Sequence, residues 1–384
     1  MLFSEILGLD HIKNHLMTSA DRGRIPHAQL FVGNHGSGTL PMAIAYARYI
    51  LCKSAEKKSK EAGIACAKKL DNLAHPDLHF SFPSTNNKRV TTQARALDFM
   101  QEWRKFVLEK PYGSLYDWYL DLGIDNKQGS ISLNDAKDIA QTLALKSFEG
   151  GYKIMIIWHA EKMNLRASNN LLKLIEEPPN KTLFILITDN ENQILQTIRS
   201  RCQKINFPPL GENDIQSALE NLHQCSSDMA QKIAFQADGD YSKALQILEG
   251  NEDEEKFESW FIDWVRTAFL AKGNKASILK LISWSEEIAK TGRETQKKFL
   301  LYCIDFMRQA LLQNYQVESL VYLQPHTKKF KLENFAPFIH GGNIVDITKE
   351  LELAIYHIER NGNARIILSD LSIKLTRLLH RRSN

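Results

Sequence analysis

The chain has 384 residues, 43% hydrophobic and 24% charged, which excludes a mainly disordered protein and leaves room for two or three domains. A net charge of +4 is mildly basic, compatible with contact to nucleic acid without demanding it. Five scattered cysteines (Cys52, Cys66, Cys202, Cys225, Cys303) exclude a disulfide framework, and the sequence offers neither a signal-peptide pattern nor a membrane-length apolar run, so a soluble, reduced, cytoplasmic protein is expected.

In chain order, Ile6 to Asp21 has apolar spacing suited to a helix, and Ala28-Gln-Leu-Phe-Val32 reads as a buried strand. A glycine loop follows at once, then a helix from Pro41 to Leu51. Residues 84–129 break the rhythm; they are rich in Trp and Tyr and read as an insertion with its own helix over about 92–108. Its aromatics suit either a docking surface or a small core. Lys153–Trp158 is the second strand, Asn164–Glu177 a helix stopped by Pro178-Pro179, Thr182–Thr188 the third strand, and Ile194–Arg199 a short helix. Strands alternating with helices predict a parallel sheet covered on both faces. Beyond Pro208-Pro209 the β-branched runs end. Amphipathic patterns take over at about 212–222, 226–237, 241–249, 253–271, 275–290, 293–315, 345–359 and 362–381. The expected domains are 1–208 (α/β), 209–250 (a small helical bundle) and 251–384 (all-α).

Gly33-Asn-His-Gly36-Ser-Gly38-Thr39-Leu40 has the spacing of a phosphate-binding loop, between a strand and a helix as such a loop requires. The lysine and the Mg²⁺-binding hydroxyl of that motif are replaced by Thr39 and Leu40. The acids expected at the end of the second strand are replaced by Trp158-His159, with Glu161 the nearest carboxylate. Each lost charge-assisted contact is worth on the order of 1.5–3 kcal/mol. Hydrolysis of ATP by this loop is therefore not expected, and any nucleotide contact at Gly33, Gly36, Gly38 and Thr39 would rest on backbone N–H groups.

Five strings together resemble bacterial clamp-loader subunits of the AAA+ class, which belong to the DNA polymerase III holoenzyme. They are Phe3-Ser-Glu-Ile-Leu-Gly8, Arg24-Ile-Pro-His-Ala-Gln-Leu-Phe31, His75-Pro-Asp-Leu-His79, Asn170-Leu-Leu-Lys-Leu-Ile-Glu-Glu-Pro-Pro179 and Ile198-Arg-Ser-Arg-Cys-Gln203. The resemblance covers about residues 1–250 and implies an AAA+ P-loop-type sheet domain, a helical lid and a C-terminal all-α collar domain that mediates assembly. It further implies that Ser200-Arg201-Cys202 is the family's SRC motif, whose arginine reaches the γ-phosphate on a neighbouring subunit. Thr188 and Lys243 fall where the family places phosphate-sensing residues.

On this resemblance the chain is a non-hydrolysing subunit that supplies Arg201 in trans during the loading of a sliding clamp onto DNA. Its implied partners are the ATPase motor and delta subunits in a hetero-oligomer, the sliding clamp, and primer-template DNA reached through the complex; no membrane is involved. The alternative is an active P-loop ATPase, with Lys162 or a partner's residue in place of the missing lysine. Family members often carry a four-cysteine zinc module. Here only Cys52 and Cys66 remain, with Lys69 three residues after Cys66, and His75 and His79 nearby. The module reads as having lost its metal, so neither a metal nor another cofactor is expected.

Overall fold

The computed structural model describes residues 1–124, 127–249, 252–317, 320–323, 325, 327 and 330–381. The chain divides into two compact units near residue 249.

The first unit is built on five parallel strands: β1 (Ala28–Val32), β2 (Leu78–Ser81), β3 (Lys153–Ile157), β4 (Thr182–Thr188) and β5 (Gln203–Asn206), in the order β2-β3-β4-β1-β5. Alternation divides their side chains between two cores. Phe31, Ile154, Ile156, Leu183, Ile185 and Ile187 face one layer, while Leu30, Met155, Ile157, Phe184 and Leu186 face the other. Because both faces are buried, the central strands read as unbroken apolar runs. The outer strands β2 and β5 were not anticipated. Each has four residues, and β5 buries only Ile205, so neither leaves a strong pattern.

The helices of this unit are α1 (Asp10–Asp21), α2 (Thr39–Glu56), α3 (Lys60–Asp71), α4 (Met100–Glu109), α5 (Leu115–Asp121), α6 (Leu133–Ala144), α7 (Leu165–Glu176) and α8 (Gln196–Arg199). Three further helices, α9 (Glu212–His223), α10 (Ser227–Ala237) and α11 (Tyr241–Glu249), pack within the same unit. α2 and its neighbours cover one sheet face, and α6 and α7 the other. α5 and α6 open on capping boxes, Ser114 with Asp117 and Ser132 with Asp135, in which each side chain satisfies the other residue's backbone N–H.

The aromatic insertion is core. Trp103 stacks on Phe82 at 4.2 Å, meets Trp118 edge-on at 5.3 Å, and lies 5.1 Å from Trp158 at the end of β3. The Trp118 indole donates to the Pro83 carbonyl at 2.9 Å. These rings weld the insertion to the sheet.

The second unit is all-α among its described residues: α12 (Glu252–Leu270), α13 (Lys275–Ala289), α14 (Arg293–Asn314), α15 (Leu332–Phe335), α16 (Ile344–Glu359) and α17 (Ala364–Leu379). Its core centres on Trp264 and Trp284, stacked at 5.1 Å, with the Trp264 indole donating to Ser372 Oγ at 2.8 Å. No described helix is long and apolar enough to cross a membrane.

Candidate functional site

The glycine loop joins β1 to α2 at the C-terminal edge of the sheet. Gly36 and Gly38 take φ of 66° and 87°, left-handed values that side chains other than glycine rarely adopt. Gly33 donates its N–H to the Thr188 carbonyl at 3.1 Å, which anchors the loop to the end of β4. Thr39 opens α2, and Leu40 is buried in the core where the motif would place a hydroxyl ligand.

The loop is closed from three sides. From the insertion, the Tyr112 ring comes within 3.3 Å of the position that a Cβ on Gly38 would take. Its hydroxyl accepts the Leu7 N–H at 3.0 Å, and its ring meets Tyr241 of α11 edge-on at 5.0 Å. Burial pushes the Tyr112 phenol up to about 12. From the helical bundle, Tyr241 donates its N–H to the Gly36 carbonyl at 3.4 Å, and Asp240 lies so close that a Cβ on Gly36 would clash with its carboxylate. From the loop itself, His35 Nε2 meets Asp189 Oδ2 at 3.1 Å, across the mouth. The remaining cavity, lined by residues of the loop with Tyr112, His159, Thr188 and Asp189, holds about 30 Å³. That is space on the scale of one or two waters.

The carboxylates beside this cavity work against a phosphate chain. Desolvation is the largest single influence on both His35 and Asp189 and disfavours their charged forms, but their mutual hydrogen bond and the surrounding charges together outweigh it. Asp189 is thereby held well below the usual carboxylate range, with His159 and Lys162 contributing. His35 is raised above its ordinary value, with Asp240 and Glu161 adding to the effect of Asp189. Behind the pair, Glu161 accepts the Thr188 hydroxyl on Oε2 at 2.7 Å and meets His159 Nδ1 through Oε1 at 2.7 Å. Thr188 is thus tied to a carboxylate. The backbone of Lys243 donates to Asp240 at 3.0 Å.

Arg201 lies at the other edge of the sheet. Gln203 pairs with Gln29 in the β5–β1 register, so Arg201, two residues earlier, is about level with His27. Gly33 is six residues further along β1, or roughly 20 Å at about 3.3 Å per residue. The Arg201 side chain is 38% exposed and pairs with Glu176 Oε1 at 2.7 Å. It also donates to the Thr197 carbonyl at 2.9 Å and approaches Ser200 Oγ at 3.4 Å. Ser200 Oγ donates to the Thr197 carbonyl at 3.1 Å. Cys202 packs against the α6–α7 core, and burial pushes its thiol up to about 12, which suits packing rather than reactivity.

Among the described residues, two groups of side chains have metal-ligand character: Cys66, His75 and Glu149, and His159, Glu161 and Asp189. In the first, Cys52 Sγ lies 3.5 Å from Cys66 Sγ, but His75 Nδ1 accepts the Asp77 N–H at 3.1 Å. The proton therefore sits on Nε2, which faces Glu149 Oε2 at 3.2 Å, while Lys69 pairs with Glu149 Oε1 at 2.5 Å. Lys69 already balances the carboxylate, and His75 offers no lone pair toward the sulfurs, so this group does not fit a zinc ion. Glu149 and Asp189 carry no motif and were not anticipated. Each reaches its group from a loop far along the chain, a placement that only the fold supplies.

A family model described as DNA polymerase III, delta subunit, matches residues 8–211, more than half of the chain. This chain belongs to the DNA polymerase III delta-subunit family. Within the family, it is 26% identical over 237 residues to the DNA polymerase III subunit delta' of Bacillus subtilis, covering 62% of this chain and 58% of that one. It is also 24% identical over 252 residues to the DNA polymerase III subunit tau of the same organism, covering 64% of this chain and 37% of the relative. It thus spans less than two thirds of either relative's length. Among solved structures it is similar to a DNA polymerase III gamma-subunit-related protein of Thermotoga maritima, at 13% identity and a TM-score of 0.40, covering 95% of this chain and 99% of that one. The expected parallel α/β sheet, small helical bundle and helical C-terminal unit are the ones found.

Proposed function

We propose that this chain is a clamp-loader subunit that does not hydrolyse ATP itself and presents Arg201 to the ATP site of a neighbouring ATPase subunit while a sliding clamp is placed on primed DNA. The observation that carries this reading is the opposition of the two sheet edges. Arg201, exposed and always charged, stands roughly 20 Å of strand away from the chain's own glycine loop. A guanidinium so placed serves another molecule's phosphate or none.

The state of the loop supports the other half of the reading. Tyr112 covers Gly38, Asp240 covers Gly36, and the His35–Asp189 pair spans the mouth. No lysine stands at position 39 to hold a triphosphate against these carboxylates. The partners in this reading are ATPase motor and delta subunits in a hetero-oligomeric ring, the clamp, and DNA met through its phosphate backbone.

The Arg201–Glu176 pair gives the finger a resting place in the free subunit. An exposed pair of this kind is worth about 0–1 kcal/mol, so a γ-phosphate, which accepts a forked guanidinium in a drier setting, displaces Glu176 readily. The test is a reconstituted loader carrying Arg201→Ala. Ring assembly should persist while the DNA-stimulated turnover of the served site falls by about 10³-fold or more. Unchanged turnover would refute the finger. Mg²⁺-dependent ATP hydrolysis by the isolated chain would refute its passivity.

A further inference from the structure

We propose that Cys52 and Cys66 form a reversible dithiol–disulfide site that takes a small-molecule disulfide of the glutathione class as its co-reactant. The two residues are 14 positions apart in the chain and sit on facing helices, α2 and α3, with their sulfurs 3.5 Å from each other. A disulfide bond is about 2.05 Å long, so the sulfurs need to close by about 1.5 Å, which small rotations of the two side chains supply. The contacts on either side hold the helices in place for this. One turn after Cys52, Glu56 rests on the bare face of Gly63, where an added Cβ would meet Glu56 Cγ at 2.5 Å. One turn before Cys52, Arg48 pairs with Asp71 at 2.5 Å. The three contacts run in opposite senses along the two helices, as in an antiparallel pair, and the cysteines are the middle one. Lys69 and His75 are engaged with Glu149, which leaves the two sulfurs facing each other.

Exposure gives the two thiols different parts. Cys52 is half-buried and open to a small reagent, whereas Cys66 is fully buried behind it. The hydrogen bond with Cys66 and, more weakly, the Arg48 guanidinium hold the Cys52 thiol below its ordinary value against burial. The same hydrogen bond, with burial, pushes Cys66 up. Cys52 therefore attacks and Cys66 resolves, the arrangement that redox-sensing cysteine pairs use. The Cys52 thiolate, its proton given to solvent, attacks one sulfur of glutathione disulfide; a mixed disulfide forms and one glutathione thiolate leaves. Cys66 then loses its proton to solvent and attacks the Cys52 sulfur. The Cys52–Cys66 bond forms and the second glutathione thiolate is expelled. Both thiolates take up a proton, so two electrons pass from the protein sulfurs to the small disulfide and no other reactant is needed. The bridge staples the second half of α2 to α3, and excess thiol opens it by the reverse steps. It is a single redox-set bond in an otherwise reduced chain.

The site needs neither Arg201 nor any partner, so its test uses the isolated full-length chain. The reduced protein is equilibrated with mixtures of reduced and oxidised glutathione, quenched with acid, alkylated and mapped by mass spectrometry. As the oxidised share rises, the peptides carrying Cys52 and Cys66 should become joined with the loss of two hydrogens. Dithiothreitol should restore both thiols, and circular dichroism should show the fold unchanged throughout. The oxidised chain should also unfold at a higher denaturant midpoint than the reduced one. Cys66→Ser should stop at the mixed disulfide on Cys52, whereas Cys52→Ser should leave Cys66 unmodified while the chain is folded. Cys66→Ala repeats the first variant if Cys66→Ser does not fold, and the cross-link in the parent chain requires no variant at all. A parent chain that stays reduced at every glutathione ratio would overturn the proposal. So would a mixed disulfide on Cys52 that never resolves, or modification of Cys66 in folded Cys52→Ser. None of these outcomes bears on the Arg201 experiment, so the two readings fail separately.

Discussion

The two edges of the central sheet carry opposite kinds of chemistry. At the C-terminal edge, where α/β proteins of this design hold ligands, the loop is filled by the molecule's own side chains: Tyr112, Asp240, and the His35–Asp189 pair. At the N-terminal edge, Arg201 is half in solvent and held by one exposed carboxylate. At the first edge the flanking side chains are paired with one another, whereas the second keeps a cation that a better acceptor can take. On the proposed function, a nucleotide fold without catalysis of its own keeps a role in it, because the two edges are far enough apart to change independently.

The largest expected effect breaks the open edge. Arg201→Lys keeps the charge but loses the planar fork, so turnover of the served site in a reconstituted loader should fall by on the order of 10²- to 10³-fold, close to the alanine variant. A lysine variant with parental turnover would reduce Arg201 to a general positive charge. The next effect is on stability. Trp103→Ala removes the ring that stacks on Phe82 and touches Trp118 and Trp158, and should cost about 3–5 kcal/mol in denaturant unfolding. A loss under about 1 kcal/mol would mean that the insertion is not part of the core.

Restoring the motif at the closed edge should cost stability and yield nothing. Leu40→Ser truncates a core side chain and leaves its hydroxyl in apolar surroundings, at about 2–4 kcal/mol. Thr39→Lys with Leu40→Ser should still fail to retain ATP in equilibrium dialysis, and adding Tyr112→Ala should be needed before any binding is seen. Binding by the double variant alone would show that Tyr112 does not gate the loop. The smallest effect is at Glu176. Glu176→Gln should change stability by under about 1 kcal/mol, because the pair is exposed, and should raise turnover of the assembled complex slightly by freeing Arg201. A fall in turnover would make Glu176 a partner of the finger rather than its resting place.

Much of this was legible from the sequence, unevenly. Strands β1, β3 and β4 announce themselves because both faces are buried, and the C-terminal helices because one face is. β5 escapes notice because three of its four residues are exposed, and α3 because Gly63 and polar residues interrupt its apolar face. α6 is marked in the sequence only by its Ser132–Asp135 capping box, with a short helical pattern that the strong apolar run of β3 overshadows. The glycine frame of the loop is a local pattern and reads directly. What fills the loop does not: Tyr112, Asp189 and Asp240 come from three separate segments, and their meeting with Gly38, His35 and Gly36 is decided by chain topology. Likewise Arg201 was visible as part of a string, but its separation from Gly33 emerged only from the register of β5 against β1.

Tyr112 joins three stretches of chain by its two ends, Leu7 through the hydroxyl and Gly38 and Tyr241 through the ring. A phosphate loop that turns over nucleotide must loosen on the timescale of product release, and its amides then trade their protons with solvent quickly. Here the loop cannot loosen without dragging the other two stretches along. The bonded amides of the loop, Gly33 to the Thr188 carbonyl and Ser37 to the Asn34 carbonyl, should therefore keep their protons in heavy water as long as those of β1. On the proposed function, the loop acts as a fixed joint among Leu7, Tyr112 and Tyr241.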